Sequence, residues 1–458
     1  MNTNKIIYRY AWMVFIIILF GLGIFAKTVS VMYKERGYWE EVASRYVNDS
    51  VVVKAVRGNI FSSDDKLMAS SIPQYDFIMD LNSNQKQKQL LRENITAISN
   101  GLHKIFPDKS ARFFKNQIET GMKRNNRGKL IYPTRRISYI ELQKIKELPV
   151  LSSSNKYLSG LTPKEYNHRN KPFKSLASRT IGELYADVDM GAKNGIEQYF
   201  DKELKGIEGR GHRQKIRKKT ITVVDKAPIN GSDIITTINV DMQDISEKAL
   251  VDVLHQNNAS KGIVILMEVK TGDIKAIVNM TRNGSRGYSE QMNHALADLY
   301  EQGSTIKTAS ILIALDDNKI TPTSTQDLGD GIYKMYNTPL KDFNFRTGGF
   351  KDNKIKTIQE IMMFSSNIGV AKTIEDAYRD DKQRFVDRYR EMLGMELDLP
   401  IVGVGKPMIR NTTDKLFSKT TLPWMSFGYE TSLPAINVAT FYNAVANNGK
   451  MMAPRVVQ

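Results

Sequence analysis

A stretch of seventeen residues near the amino terminus, from Tyr10 to Ala26, carries no charged side chain and is rich in Ile, Phe and Leu. Val29, Val31 and Met32 extend it past Lys27. As a helix that rises about 1.5 Å per residue, the extended stretch just spans a hydrocarbon core about 30 Å thick. A cleavable signal peptide would have an apolar core of about 7–15 residues and a small-residue cleavage site. Phe25-Ala-Lys27 is a poor site of that kind. The stretch therefore predicts an uncleaved transmembrane anchor at residues 10–32.

The charges on either side of the anchor do not determine its orientation. Lys5 and Arg9 precede it, and basic residues also follow it closely, at positions 27, 34 and 36. The positive-inside rule therefore gives no decision. The short tail, residues 1–9, is the easier part to leave in the cytoplasm, so we expect the chain from residue 33 onward to face outward.

The composition narrows the kinds of partner. The chain has 458 residues, with 66 Lys and Arg against 49 Asp and Glu, and its formal net charge is +17. Such a balance suits nucleic acid, an anionic membrane or an acidic polymer. The densest basic run, residues 210–219, contains no aromatic residue, and sequence-tolerant nucleic-acid binding needs stacking platforms, so we expect no nucleic-acid partner. With no cysteine and no metal-ligand spacing among the five His, the sequence indicates no metal site.

The order of the predicted elements indicates an α+β fold. A turn-rich segment, residues 226–232, predicts a boundary between a domain at residues 33–230 and one at residues 231–458. In the second domain a helix over residues 241–254 precedes two apolar strands joined by a Gly-containing turn, which is typical of an antiparallel hairpin. A mostly helical stretch follows, and this order favours helices layered on an antiparallel sheet. The apolar side of the predicted helix consists of Met242, Ile245, Ala249 and Leu250.

Ser304 and Lys307 lie one helical turn apart and form the candidate catalytic pair. A serine hydroxyl is a weak nucleophile until a base takes its proton. Burial lowers the pKa of a lysine, and a neutral amine three positions along a helix can act as that base. Gly303 permits a tight entry to the helix, and the residues after Ser304 are almost wholly apolar, so we expect this helix to be buried.

A second motif, Ser365-Ser366-Asn367, follows at a predicted helix entry. There Ser365 could relay a proton and Asn367 could hydrogen-bond a substrate amide. A Lys-Thr-Gly (K-T-G) strand after the Asn would be the third element of such a site. Lys270-Thr-Gly272 matches K-T-G and Arg346-Thr-Gly348 nearly matches it, but both precede Ser365-Ser366-Asn367 in the chain. Because neither is in the order that places this strand beside the nucleophile, we do not expect either to be catalytic.

The motif of Ser304 is weak by itself, since Ser83 with Lys86 and Ser153 with Lys156 repeat its spacing. The order of S-x-x-K, S-x-N and K-T-G is nevertheless the signature of penicillin-binding proteins and β-lactamases. Further segments resemble those of a class B penicillin-binding protein, from the pedestal to the transpeptidase domain, and the last two resemble the cell-division (septal) branch found in Bacteroidetes. The segments are Arg57–Ile60, Leu67–Ser70, Arg179–Gly182, Gly191–Glu197, Thr237–Gln243, Asn293–Ala295, Glu301–Lys307, Leu422–Tyr429 and Phe441–Lys450.

The resemblance implies an anchor, an elongated pedestal domain at residues 33–230 and a penicillin-binding transpeptidase domain at residues 231–458. The sequence also departs from the family pattern in places, for example with Gln302 where the family usually has Pro. The K-T-G strand of the family would follow Gln458, so we expect the transpeptidase domain to be incomplete and its activity impaired. A truncated gene is the leading explanation for this.

As a member of such a family, the chain is expected to be a septal peptidoglycan D,D-transpeptidase of the inner membrane, with its bulk in the periplasm. Ser304 would be the nucleophile, Lys307 the general base, Ser365 a proton relay and Asn367 a substrate-orienting residue. Expected partners are peptidoglycan stem peptides, β-lactam antibiotics, a membrane glycosyltransferase and other division proteins, and no cofactor is implied. A non-catalytic scaffold or β-lactam sensor, and an elongation-type transpeptidase, remain as alternatives.

Overall fold

Helices and short antiparallel strands alternate along the chain. A computed structural model describes residues 3–39, 50–185, 190–216, 219–284, 287–343 and 353–458. The helices are α1 (Thr3–Lys34), α2 (Gln85–Ile105), α3 (Ala111–Lys123), α4 (Tyr139–Lys146), α5 (Lys156–Ser159), α6 (Ser178–Ile181), α7 (Gly195–Tyr199), α8 (Asp201–Lys205), α9 (Val240–Gln256), α10 (His294–Ala297), a 3₁₀ turn (Gly303–Ile306), α11 (Lys307–Asp316), α12 (Ile358–Met363), α13 (Asn367–Tyr378), α14 (Lys382–Leu393), α15 (Thr421–Ser426) and α16 (Ala435–Ala446).

The strands are short, and most pair with neighbours in the sequence. They are β1 (Ser50–Val53), β2 (Ile60–Phe61), β3 (Leu67–Asp76), β4 (Ile78–Met79), β5 (Lys129–Leu130), β6 (Ile137–Ser138), β7 (Lys164–Asn170), β8 (Gly209–Ile216), β9 (Lys219–Lys226), β10 (Ile234–Ile235), β11 (Lys261–Met267), β12 (Ile274–Arg282), β13 (Tyr288–Ser289), β14 (Thr325–Asp327), β15 (Ile332–Met335), β16 (Thr338–Lys341), β17 (Ile355–Thr357), β18 (Met408–Ile409) and β19 (Thr431–Ser432). Among the pairs, only β10 with β2 is parallel within the described residues.

One compact unit comprises Met1–Arg57 and Lys205–Gly231. It contains α1 and a three-stranded antiparallel sheet in the order β1-β8-β9. Within residues Tyr10–Lys34 of α1, an 18-residue window has a mean hydropathy of 2.3, and none of that window is buried. In the part of the chain that the structure describes, α1 is the single helix with the length and apolar composition to cross a membrane.

The other unit comprises Gly58–Leu204 and Ser232–Gln458. In its first part, β3 pairs with β2, β6 and β7, and α2 and α3 enclose a core with Phe77, Leu91 and Phe114. The side chains of Asn84 and Ser110 cap these two helices by accepting a backbone N–H, which begins each helix sharply. Residues 106–110 separate these two helices.

The predicted hairpin is β11 with β12, antiparallel, and α9 packs on β12. The predicted apolar side of α9 is wrong in part, since Met242 is 45% and Ile245 67% exposed. Gln243 faces the sheet instead, and its amide donates to the Ile277 carbonyl at 2.9 Å and accepts from the Ile277 N–H at 2.8 Å. Because a buried backbone group must be hydrogen-bonded, this polar contact fixes which face of α9 turns inward.

The last part of the unit is mostly helical, with α11 in the middle. Ile306, Ala309, Ile313 and Ala314 are buried in a cluster shared with α13, α14, α15 and α16. The helix after Ser304 is therefore buried, as its apolar sequence predicts. Together with the sheet of β11, β12 and β13, these helices give the expected α+β fold, with helices on an antiparallel sheet.

Candidate active site

The segment that carries Ser304 turns sharply before it becomes helical. Gly303 has a φ of +58°, a conformation that glycine adopts without steric cost. The 3₁₀ turn begins there, Ser304 is exposed within it, and the Lys307 N–H donates to the Ser304 carbonyl as α11 starts. The hydroxyl of Ser304 thus lies at the open start of a buried helix, accessible to a substrate.

Two neighbouring segments hold this turn in place. The Gly303 N–H donates to the Gly428 carbonyl at 3.1 Å, and a Cβ at Gly428 would lie 2.1 Å from the Gly303 carbonyl oxygen. The phenol of Tyr442 on α16 donates to the Thr305 carbonyl at 2.7 Å. The Gln302 amide donates to the Leu433 carbonyl at 2.7 Å, so the residue that departs from the family pattern also anchors the turn.

Lys307 is buried, with 1% of its surface exposed. Its amine donates to the Ser365 carbonyl at 2.5 Å and to the Ser365 hydroxyl at 3.1 Å. Burial lowers the pKa of Lys307 to about 8, and the negative charge of Asp342 opposes part of that shift. A substantial fraction of this amine is therefore neutral at mildly alkaline pH, which is the form that can accept a proton.

The second motif lies between α12 and α13. Ser365 adopts a left-handed conformation with a φ of +51°, and its backbone carbonyl faces the Lys307 amine. Ser366 is the N-cap of α13, where its hydroxyl accepts from the Gly369 N–H at 2.8 Å. Asn367 begins the helix, and its side-chain amide donates to the Lys341 carbonyl at 3.2 Å. The predicted helix entry is thus present, and the middle Ser is structural.

Asp342 is a residue of this cluster that the sequence motifs did not indicate. It follows β16 and is 4% exposed. One carboxylate oxygen accepts from the Ser366 hydroxyl at 2.6 Å. The other accepts from the backbone N–H groups of Asn367 at 2.7 Å and Ile368 at 3.1 Å. No spacing rule marks an acid so far upstream of the motif that it supports, so only the fold reveals it.

The structure brings Lys307 into contact with the second motif and places Ser304 at the open start of the same buried helix. The lysines of the two repeated S-x-x-K spacings, Lys86 and Lys156, are exposed, so neither has a desolvated amine. Lys270-Thr-Gly272 lies in the turn between β11 and β12. Arg346-Thr-Gly348 lies outside the described residues. Within the described ranges, no three His, Asp or Glu side chains are grouped as metal ligands would be.

Two family models match this chain. The penicillin binding protein transpeptidase domain matches residues 262–458. The penicillin-binding protein dimerisation domain matches residues 52–236. The chain belongs to the class B penicillin-binding proteins. Both domains of this class are thus present in the expected order.

Curated relatives of this penicillin-binding protein are distant and longer. The "Probable peptidoglycan D,D-transpeptidase PenA" of Neisseria meningitidis is 26% identical over 297 residues, which cover 62% of this chain and 48% of the relative. The peptidoglycan D,D-transpeptidase FtsI of Escherichia coli is 24% identical over 344 residues, or 73% of this chain and 54% of the relative. This penicillin-binding protein thus spans about half the length of the curated relatives it matches.

Solved structures of other penicillin-binding proteins share the fold. Penicillin binding protein 2X of Streptococcus thermophilus has a TM-score of 0.70 at 17% identity, and the match covers 89% of this chain and 61% of that one. A complex between PBP2 and MreC of Helicobacter pylori contains a chain with a TM-score of 0.61 at 17% identity, covering 89% and 79%. These likenesses bear out the α+β fold of the class.

Proposed function

We propose that this chain is a peptidoglycan D,D-transpeptidase of the septal type, which cross-links stem peptides and is acylated by β-lactams. The observation that carries the proposal is the buried Lys307 amine, which contacts Ser365 and follows the exposed Ser304 by one turn. A serine, a desolvated amine and a second hydroxyl are the groups that acyl transfer requires. The names of the PenA and FtsI relatives support the same activity.

In the proposed reaction, the Ser304 hydroxyl attacks the penultimate D-Ala carbonyl of a stem peptide. The neutral amine of Lys307 receives the proton, with Ser365 as relay, and the carbonyl oxygen develops negative charge near the backbone N–H groups at the start of the turn. Lys307 then gives the proton to the nitrogen of the terminal D-Ala, the C–N bond breaks, and D-Ala leaves with a neutral amino group. An amino group of a neighbouring stem attacks the acyl-enzyme and releases Ser304, while Asn367 orients the substrate amide.

The proposal extends to placement in the cell. Residues 1–9 form a cytoplasmic tail and residues 10–32 a single-pass anchor in the inner membrane. The pedestal at residues 33–230 and the transpeptidase domain at residues 231–458 lie in the periplasm. The length and exposure of α1 support the anchor. A membrane glycosyltransferase and other division proteins are the proposed partners, as membership of the family implies.

Labelling with a fluorescent penicillin tests the nucleophile. The full chain, expressed with any native residues that follow Gln458, should in detergent form a covalent adduct that survives denaturation, and Ser304→Ala should abolish it. Ser153→Ala is the matched control, because Ser153 has the same spacing to a lysine, but that lysine is exposed. The control should label as the unmodified chain does. Persistent labelling of Ser304→Ala would exclude this serine and overturn the proposal.

A further inference from the structure

We propose that Asp342 is a positioning residue, which holds the Ser365–Asn367 segment against the Lys307 amine. The inference rests on the proposed acyl transfer and assigns a residue that neither sequence motif contains. The geometry is specific, because the single carboxylate of Asp342 accepts hydrogen bonds from three consecutive residues. The donors are the Ser366 hydroxyl and the backbone N–H groups of Asn367 and Ile368.

The contacts of Asp342 fix the backbone of the motif. The first N–H groups of a helix have no intrahelical partner, and Asp342 accepts two of them, from Asn367 and Ile368. It also accepts from Ser366, the N-cap of α13. Ser365 is covalently next to these anchored residues and sits in a left-handed conformation. A shift of Ser366 would therefore move the carbonyl and hydroxyl that Lys307 contacts.

The negative charge of Asp342 acts on the same amine. The carboxylate of Asp342 lies at the amino end of α13, where the helix dipole is positive. The negative charge of this carboxylate raises the pKa of Lys307 and so opposes the effect of burial. Among the charged groups of the helices packed on α11, Glu375 of α13 accepts from the Tyr336 phenol and Arg384 of α14 donates to Asp317. Asp342 thus both positions the groups that accept hydrogen bonds from the Lys307 amine and raises the pKa of that amine.

Three variants separate these roles from a general structural one. Asp342→Asn keeps the shape and two acceptor contacts but removes the charge, whereas Asp342→Ala removes all three contacts. Glu375→Gln is the matched control, since Glu375 is a 3% exposed carboxylate on the same helix α13 and lies outside the cluster. Each full chain is assayed for acylation by a fluorescent penicillin from pH 6 to 10 and for hydrogen exchange of the amides at residues 366–369.

For Asp342→Ala we expect acylation to slow by about 100-fold, as a catalytic group displaced by about 1 Å does, and the amides at residues 366–369 to exchange faster. For Asp342→Asn we expect a smaller loss of rate and a pH profile displaced to lower pH, because the charge that favours the ammonium form is gone. Glu375→Gln should change neither the profile nor the exchange of these amides.

Unaltered exchange at residues 366–369 in both Asp342 variants would overturn the inference, whether or not the chain is acylated. A loss of rate in Glu375→Gln equal to that in Asp342→Asn, with no displacement of either pH profile, would also overturn it by making the effect merely structural. Failure of the unmodified chain to label at Ser304 refutes the proposed function instead, and the exchange measurement still decides whether Asp342 holds the motif.

Discussion

The pH dependence of acylation should report the buried amine of Lys307. Burial lowers the pKa of Lys307 from 10.5 to about 8. With that value, the neutral fraction rises from about one tenth at pH 7 to about nine tenths at pH 9. We therefore expect the acylation rate to increase about tenfold between pH 7 and 9 and to level off above pH 9.

The assay measures the second-order rate constant for acylation of the full chain by a fluorescent penicillin, from samples quenched at successive times at each pH. An amine with the ordinary pKa of about 10.4 would give a rise of about 100-fold over the same interval with no plateau. The control is the melting temperature at each pH, which must show that the fold persists. A steep rise without a plateau, or a flat profile, would refute the reasoning from burial.

Three further substitutions test buried contacts, two at the site and one, Arg169→Leu, in the part of the chain before the transpeptidase domain. Lys307→Met should abolish acylation yet raise the free energy of unfolding at pH 7 by up to about 3 kcal/mol. The lowered pKa of Lys307 destabilises the folded state fully below about pH 8, and this penalty disappears as the pH rises towards 10.5. A melting temperature that does not increase at pH 7 would contradict this prediction. Arg169→Leu should cost about 3–5 kcal/mol, because it removes a 2.6 Å ion pair to the fully buried side chain of Glu197. A change under about 1 kcal/mol in denaturant titration would show that this pair is dispensable. Gly428→Ala should destabilise the folded protein by roughly 1–3 kcal/mol and slow acylation, because the new Cβ would clash with the backbone of Gly303. Gly449 also has a positive φ, but a Cβ there would have no atom within 4 Å, so Gly449→Ala should leave the acylation rate unchanged.

The sequence predicts the anchor helix, the β11–β12 hairpin and the buried helix after Ser304, because a local run of apolar residues marks each of them. It fails where a long-range contact decides the outcome. Gln243 faces the sheet because it bonds the backbone of β12, and no periodicity of α9 contains that information. The contact between Thr236 and Val457 likewise joins distant positions.

For the site, the motifs place Ser304, Lys307, Ser365 and Asn367 correctly at helix starts, since glycine and N-cap residues mark these positions locally. Their catalytic roles remain predictions. Asp342 could not be found in this way, because the carboxylate that supports the motif comes from the end of a separate strand. Residues that act through backbone contacts leave no pattern of their own in a single sequence.

The central claim is that Ser304 forms the acyl bond, and peptide mapping by mass spectrometry tests it most directly. The full chain is incubated with penicillin, digested and searched for the added mass. We predict the adduct on Ser304 alone, on the peptide that also contains Lys307 or is cut at it. An adduct on Ser365 or on any other residue would contradict the mechanism, and so would the absence of any adduct when penicillin is in large excess.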